Sequence, residues 1–300
     1  MVEFPAQRSL YFQWNFVQDW ADEDFAHFTA RLFKVLDAHA DWRLIVDVRY
    51  NSGGDGSRVP AVIRQIIKRG RFDEPGNLFV ITGRKTFSAA VDFVGEAKKW
   101  TTAIFVGEPT GAGPNAYGDP QDAVTPSLHI PYQVSTSYHQ HGRSADRSDA
   151  FDPDIPAVMT ASDYFAGRDP ALDAILTGSE LLPIPALART SSAEVVRAAI
   201  AERMIKWSPL PWWSPFNEFD MNETGYAVLR SGRVADAIVA FQLNADRYPN
   251  SWNTWDSLGE AQRAAGDVAA AKVSYRKALA LNPNMGNAKE ALADMEKTGR

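Results

Sequence analysis

The stretch RLIVDVRYNSGGDG, residues 43–56, joins an almost unbroken apolar run to a pair of glycines. A second apolar run, LFVIT at 78–82, follows after one helical segment. Continuous apolar strands of this kind are buried on both faces, which is typical of a parallel sheet covered by helices. Strand-like and helical patterns alternate as far as about residue 175. The sequence therefore predicts an α/β layered domain over residues 1–175.

The glycine pair Gly53-Gly54 at the end of the first run has two interpretations. A phosphate-binding loop is excluded, because a dinucleotide loop needs a third glycine where this chain has Val59, and no Gly-Lys-Ser/Thr follows. Glycine N–H groups at the end of a strand can instead face a developing oxyanion, since no Cβ stands in the way. A tight strand-to-helix turn without a chemical role explains the same residues.

Ser88 lies immediately before a helical pattern, in the stretch TFSAAVDFVGEAKKW at 86–100. Thr86 or Ser88 can cap that helix by accepting its first N–H groups. A serine at this position can also be a nucleophile, because the helix N-terminus favours an anion beside it and Ala89 leaves room for a carbonyl. The local pattern allows both interpretations.

The composition limits the partners of the chain. Its 300 residues are 45% hydrophobic, carry a net charge of −6 and include no cysteine. Nucleic acid is not expected as a partner, and disulfides, thiolate metal sites and a cysteine nucleophile are excluded. The sequence contains no run of about 18 apolar residues, so no membrane span is predicted, and the N-terminus lacks the pattern of a signal peptide. The expectation is that the chain stays where it is made.

The last third of the sequence repeats with a period of 34 residues. Gly225, Ala237 and Phe241 recur as Gly259, Ala271 and Tyr275, and Pro249 recurs as Pro283. This pattern resembles the tetratricopeptide repeat, in which small residues let paired helices approach and aromatic residues fill the groove between them. We expect a repeat domain over residues 216–300, serving either as a peptide-binding surface or as a structural cap.

A linker is predicted between the two domains, over residues 176–215. Five prolines interrupt it, while Ser191 and Glu194 have the spacing of a capping box that opens one helix through about Lys206. Three tryptophans are expected to form a docking patch: Trp207, Trp212 and Trp213.

Four motifs of the first domain occur in the order found in C-terminal processing, or tail-specific, serine proteases, and this part of the chain resembles that family. The motifs are DVRYNSGG, TFSAA, VGEPTG and a terminal PDI strand with DYFAGRDP. The resemblance implies a crotonase-like core in which Ser88 attacks a peptide carbonyl. By the same resemblance, the Ala89 N–H and a glycine of Gly53-Gly54 are the oxyanion donors.

The sequence differs from that family at the position of the general base. In the Ser–Lys branch of the family the base lies in the turn after the VGE strand, where this chain reads TGAGPN without a lysine. The tricorn-like branch uses a histidine from the N-terminal part of the protease, oriented with help from a late acid. Asp146 is the first candidate for that acid, and Asp149 and Asp152 are the others.

The five histidines suggest no base by sequence alone. His27 and His39 accompany an early helix, while His129, His139 and His141 lie in later strand and loop positions, from which one of them can reach Ser88. His139 and His141 with Asp146 also suggest a metal, but two histidines at i and i+2 in a polar loop are weak evidence. The expectation is that the protein needs no metal and no other cofactor.

The sequence thus favours a serine-type peptidase, with a peptide or unfolded protein as substrate and a protein partner for the repeats. Two alternatives remain. The chain is either a non-cleaving relic that binds peptides, or an interaction protein whose repeats are carried on a hydrolase scaffold. Both alternatives are supported by the lack of an identified general base, because general-base catalysis contributes about 10²–10⁴-fold to the rate.

Overall fold

The computed structural model describes residues 1–144, 146–178 and 182–298. The chain divides into two compact units, Met1–Leu182 and Pro183–Arg300. Among the helices of the described ranges, none combines the length and the apolar character that a membrane span requires.

A six-stranded sheet forms the centre of the first unit, with the strand order β1-β2-β3-β4-β5-β8. The strands of this unit are β1 (Val2–Phe4), β2 (Ser9–Gln13), β3 (Arg43–Asp47), β4 (Leu78–Thr82), β5 (Ile104–Gly107), β6 (Asn115–Val124), β7 (Pro131–Gln140) and β8 (Ile155–Pro156). Only β1 runs antiparallel to its neighbour, and the other five strands of the sheet are parallel. The predicted α/β class with a parallel sheet is confirmed, whereas crotonase-like layering stays a prediction.

Helices cover both faces of the sheet. The helices of this unit are α1 (Phe25–Ala38), α2 (Val59–Ile67), α3 (Ala89–Trp100), α4 (Ala161–Phe165) and α5 (Pro170–Thr177). Side chains of α1, α2 and α3 pack with those of Phe12, Val46 and Val80 in one apolar core. On the other face Ile175 of α5 is fully buried, as is Ile81 of β4. Burial of both faces explains why the central strands are continuous apolar runs.

Strands β6 and β7 form a separate two-stranded antiparallel hairpin. Most of their side chains are exposed, including those of Tyr117 and Tyr138, which face each other across the two strands. The base of this hairpin lies next to α3, where His141 follows β7.

The second unit is entirely helical. Its helices are α6 (Ile184–Thr190), α7 (Ala193–Trp207), α8 (Glu218–Arg230), α9 (Val234–Arg247), α10 (Trp252–Ala264), α11 (Val268–Leu281) and α12 (Gly286–Thr298). The predicted repeat contacts are present: a Cβ at Gly225 would lie 2.5 Å from Phe241 Cε1, and one at Gly259 would lie 3.1 Å from Tyr275. The 34-residue period therefore corresponds to one pair of helices, and the two helices of each pair meet where a glycine contacts an aromatic ring.

The segment interpreted as a linker, residues 176–215, has more structure than one helix. Helices α6 and α7 both lie in it, and Ile184 and Val196 share a core cluster with Met221 of the repeat region. Ser191 does not form the predicted capping box, because it ends α6 while Ser192 is the first flanking residue of α7 and makes no side-chain cap. Trp207 and Trp213 are buried and pack edge to face, with ring centroids 5.2 Å apart.

Candidate active site at the carboxyl ends of the parallel strands

Asn51 fixes the turn that follows β3. It is fully buried, its Nδ2 donates to the Trp14 carbonyl at 2.8 Å, and its Oδ1 accepts the Gly53 N–H at 2.8 Å. The Asn51 carbonyl also accepts the Phe87 N–H at 3.0 Å. One side chain and its backbone therefore hold the glycine turn against the segment that contains Ser88.

The two glycines of this turn are required by its geometry. Gly53 has φ +112° and Gly54 has φ +134°, which is the region that favours glycine. A Cβ at Gly54 would overlap the Val17 carbonyl, whereas a Cβ at Gly53 would lie 2.6 Å from Ser88 Cβ and 3.2 Å from Ala89 N. Gly54 therefore serves packing against the chain before α1, and Gly53 serves the approach to Ser88.

Ser88 occupies a sharp junction between β4 and α3. Its backbone has φ 51° and ψ −128°, its side chain makes no hydrogen bond to the helix N-terminus, and the residue is exposed. Thr86 does not cap the helix either, because its buried hydroxyl donates to the Val48 carbonyl at 2.9 Å. A non-glycine residue with positive φ costs about 1–3 kcal/mol, and such strain is concentrated at functional sites. The Ser88 hydroxyl is therefore presented to solvent rather than used as a cap.

The backbone donors of the glycine turn and of the start of α3 differ in whether they are already hydrogen-bonded. The Gly53 N–H is already donated to Asn51 Oδ1, so Gly53 does not offer it to a ligand. Within the described ranges, no acceptor is hydrogen-bonded to the N–H of Gly54 or of Ala89. Of the predicted oxyanion donors, these two N–H groups can accommodate an anion without first breaking an internal bond.

No described side chain is hydrogen-bonded to the Ser88 hydroxyl. The turn without a lysine, residues 110–115, leaves no space for one at Gly113, where a Cβ would overlap the Ser148 carbonyl. The Asp146 carboxylate accepts the Ser148 N–H at 2.9 Å, and Asp149 and Asp152 are exposed. The predicted late acids therefore lie in and around the loop that follows the hairpin.

Three of the histidines lie apart from one another, and the other two lie together. His27 bonds to Asp24 at the start of α1, His39 stacks on Trp42, and His129 lies in the exposed turn between β6 and β7. His139 and His141 stand together at the base of the hairpin, with ring centroids 6.3 Å apart. The carboxylate that groups with both rings is not Asp146, the one considered from the sequence, but Asp92 of α3.

Sequence reasoning missed the contact between Asp92 and His141. His141 Nε2 lies 2.8 Å from Asp92 Oδ1, and the two side chains are 15% and 22% exposed. Asp92 follows Ser88 by four residues, so it lies one helical turn from the candidate nucleophile. The available signal was a carboxylate inside the otherwise apolar SAAVDFVG stretch.

A buried ionic network supports the end of β3. Arg49 binds Asp169 with two parallel hydrogen bonds of 2.8 Å, and its Nε lies 2.9 Å from Asp47 Oδ2. Tyr11 donates to the same Asp47 oxygen at 2.6 Å. Burial lowers the pKa of Arg49, but the hydrogen bonds that Arg49 donates to Asp169 and Asp47 outweigh it and raise that pKa. Burial and the Asp47 charge raise the pKa of Tyr11. Arg49 therefore stays charged and Tyr11 stays protonated, and the network fixes the strand end from which the glycine turn begins.

Comparison with solved structures finds S41 peptidases and tetratricopeptide-repeat proteins, all at low identity. The chain is similar to a candidate S41 protease from Bacteroides fragilis (15% identity, TM-score 0.37), with 56% of this chain and 51% of that protein covered. It is similar to the tricorn protease (18% identity, TM-score 0.37), with 57% of this chain and 17% of that protein covered. It is also similar to the first TPR of Spaghetti bound to an HSP90 peptide (19% identity, TM-score 0.27), with 35% and 78% covered.

The chain spans about half the length of the Bacteroides fragilis protein. No protein-family model and no curated protein matches the sequence. Structural similarity at this level assigns no activity, so function is inferred from the site itself.

Proposed function

We propose that the protein is a serine-type peptidase with Ser88 as its nucleophile. The conformation of Ser88 carries this proposal: an exposed hydroxyl, a backbone with positive φ, a helix N-terminus behind it and Gly53 against it. A cap requires the helix N-terminus but none of the other three features, and a plain turn requires neither the exposed hydroxyl nor the helix. The four ordered motifs of the tail-specific proteases support the same assignment.

The reaction proceeds by attack of Ser88 Oγ on the carbonyl carbon of a peptide bond. The carbonyl oxygen takes up negative charge, and the N–H groups of Ala89 and Gly54 donate to it. The partial positive charge at the start of α3 stabilises that oxyanion further. The C–N bond then breaks, and the leaving amine takes a proton from the group that accepted the Ser88 proton. Water, which gives a proton to the same group, attacks the resulting Ser88 ester; the ester bond breaks, the new C-terminal carboxylate leaves, and the proton returns to Ser88 Oγ.

The base belongs, in this proposal, to the tricorn-like type. The chain has no lysine in the turn 110–115, and no described side chain is hydrogen-bonded to Ser88. A histidine supplied from another segment accepts the proton, and Asp146 is the acid that helps to orient it. We therefore expect the chain by itself to cleave unfolded or C-terminal peptides weakly.

Peptide binding without cleavage is the second candidate function. The lack of a hydrogen-bonded base at Ser88 favours it, and so does an open depression of about 510 Å³ on the repeat unit, lined by Glu260, Arg263, Tyr275 and Asn287 among others. In this alternative the repeats bind a peptide or protein partner and the glycine turn holds a peptide end.

A fluorophosphonate probe distinguishes the two functions, because it forms an adduct only with an activated serine. The proposal predicts a slowly formed adduct on Ser88, in keeping with the weak cleavage expected of the chain by itself, located by mass spectrometry and absent in Ser88→Ala. Ser57→Ala is the matched control, since Ser57 lies in the same glycine turn but donates its hydroxyl to Asp55 at 2.6 Å. Labelling at another serine would refute the nucleophile. Peptide binding without any adduct, measured by fluorescence anisotropy, would establish the second function.

A further inference from the structure

Two histidines and one carboxylate converge where the base of the hairpin meets α3. His139 belongs to the end of β7, His141 follows that strand, and Asp92 projects from α3. One potential ligand atom from each of the three lies within 4.8 Å of the other two, and all three residues are partly buried. This cluster takes no part in the proposed peptidase chemistry.

Two glycines create the space that the imidazole rings occupy. A Cβ at Gly95 of α3 would overlap His141, and a Cβ at Gly118 of β6 would lie 3.0 Å from the His139 ring. A side chain at either glycine would therefore displace the neighbouring histidine ring. The convergence is built into the backbone of the helix and of the hairpin.

Additional carboxylates surround the two rings. Asp119 Oδ2 lies 3.2 Å from His139 Nε2, and Glu96 Oε1 lies 3.9 Å from His141 Nδ1. Histidines that bind metals are usually held at the other ring nitrogen by a carboxylate or a carbonyl, which fixes their orientation. With neutral imidazoles, Asp92, Asp119 and Glu96 give the pocket a negative charge that favours a cation.

We propose that Asp92, His139 and His141 form a Zn²⁺ site. Nitrogen and carboxylate ligands suit this ion, which binds at about 2.0–2.2 Å with tetrahedral ligands about 3.3 Å apart. The present separations of up to 4.8 Å reach that geometry through side-chain movements of about 1 Å. Three protein ligands leave the fourth position to water. The ion joins the hairpin to α3, the helix that follows Ser88, and its presence does not depend on the peptidase assignment.

Zinc titration of the full, untagged chain by calorimetry tests this site, after removal of metal with a chelator. We expect one Zn²⁺ per chain, and a Co²⁺-loaded sample is expected to show the strong visible absorption of tetrahedral coordination. His139→Ala is the decisive variant, because His139 is more exposed than His141 and its loss disturbs packing least. Its affinity is expected to fall at least about 100-fold, since loss of outer-shell partners alone costs about 10–100-fold.

His129→Ala is the matched control, because His129 lies at the exposed end of the same hairpin. We expect it to bind one Zn²⁺ with unchanged affinity. The same affinity in His139→Ala as in wild type would refute the site, and so would the absence of stoichiometric binding to folded wild-type protein. Circular dichroism confirms folding of both variants, and Asp92→Asn provides an independent ligand substitution on α3.

Discussion

Gly53 and Ser88 are in direct apposition: a Cβ at Gly53 would lie 2.6 Å from Ser88 Cβ and 3.0 Å from Ser88 Oγ. We expect Gly53→Ala to lower fluorophosphonate labelling of Ser88 about 100-fold, because a displacement of about 1 Å at a reacting group has that effect. Stability is expected to fall by about 1–3 kcal/mol, since alanine is strained at positive φ.

The control for that variant is Gly76→Ala, which carries the same backbone strain without a steric contact. Gly76 has φ +96°, and no atom lies within 4 Å of the position that the alanine methyl group would take. We expect a comparable loss of stability with unchanged labelling. If both variants lose labelling in proportion to their stability, Gly53 has only an architectural role.

The network around Arg49 is predicted to dominate the stability of the strand end. Arg49→Met leaves the almost fully buried Asp47 carboxylate without its cationic partner, so the free energy of unfolding in urea is expected to fall by about 3–5 kcal/mol. The solvent-accessible pair of Arg31 and Glu23 is the comparison, and Glu23→Gln is expected to leave stability almost unchanged. Equal effects of the two substitutions would contradict a structural role for the buried network.

Much of the fold follows from periodicity. Spacing predicts α1 from Phe25, Leu32 and Leu36, which are all buried, and it predicts the contact of Gly225 with Phe241. Such patterns work because they report a local period and the face that it buries. Helix α6 does not follow from the sequence when its prolines are interpreted as breakers, although proline is well tolerated in the first turn of a helix.

Only those features of the candidate site that depend on neighbouring residues could be predicted from the sequence. The exposure of Ser88 at a helix start follows from neighbouring residues, whereas the contact between Asp92 and His141 spans 49 positions and depends on where the hairpin returns. The donation of the Gly53 N–H to Asn51 is similarly invisible in the pattern, because it depends on a side-chain rotamer within the turn.

Asp256 in α10 is predicted to make the repeat unit less stable as pH rises. Burial and repulsion from Glu260 raise its pKa from 3.8 to about 6. The folded state therefore holds the proton more tightly than the unfolded state, so the benefit is complete below about pH 4 and is lost as pH rises through about 6. We expect this group alone to reduce the free energy of unfolding by about 2 kcal/mol between these limits.

Urea unfolding at pH 4.5 and pH 7 measures that contribution in wild type and in Asp256→Asn. The asparagine variant is expected to lose this part of the pH dependence and to be the more stable protein at pH 7. Asp246→Asn is the control, because Asp246 lies on the exposed surface of α9. A pH dependence that is the same in all three proteins would show that Asp256 titrates normally.

The backbone strain at Ser88 is predicted to be measurable as a gain of stability when it is relieved. Ser88→Gly permits φ 51° without a Cβ, whereas Ser88→Ala retains the strain, and both remove the hydroxyl. We expect the glycine variant to be more stable than the alanine variant by about 1 kcal/mol, because the relief of about 1–3 kcal/mol exceeds the entropy that glycine costs. Ser208, exposed with φ −54°, provides the control, and there glycine is expected to be the less stable choice. Thermal and urea unfolding of the four variants decide the matter, since a glycine that destabilises equally at both positions would show that Ser88 stores no strain.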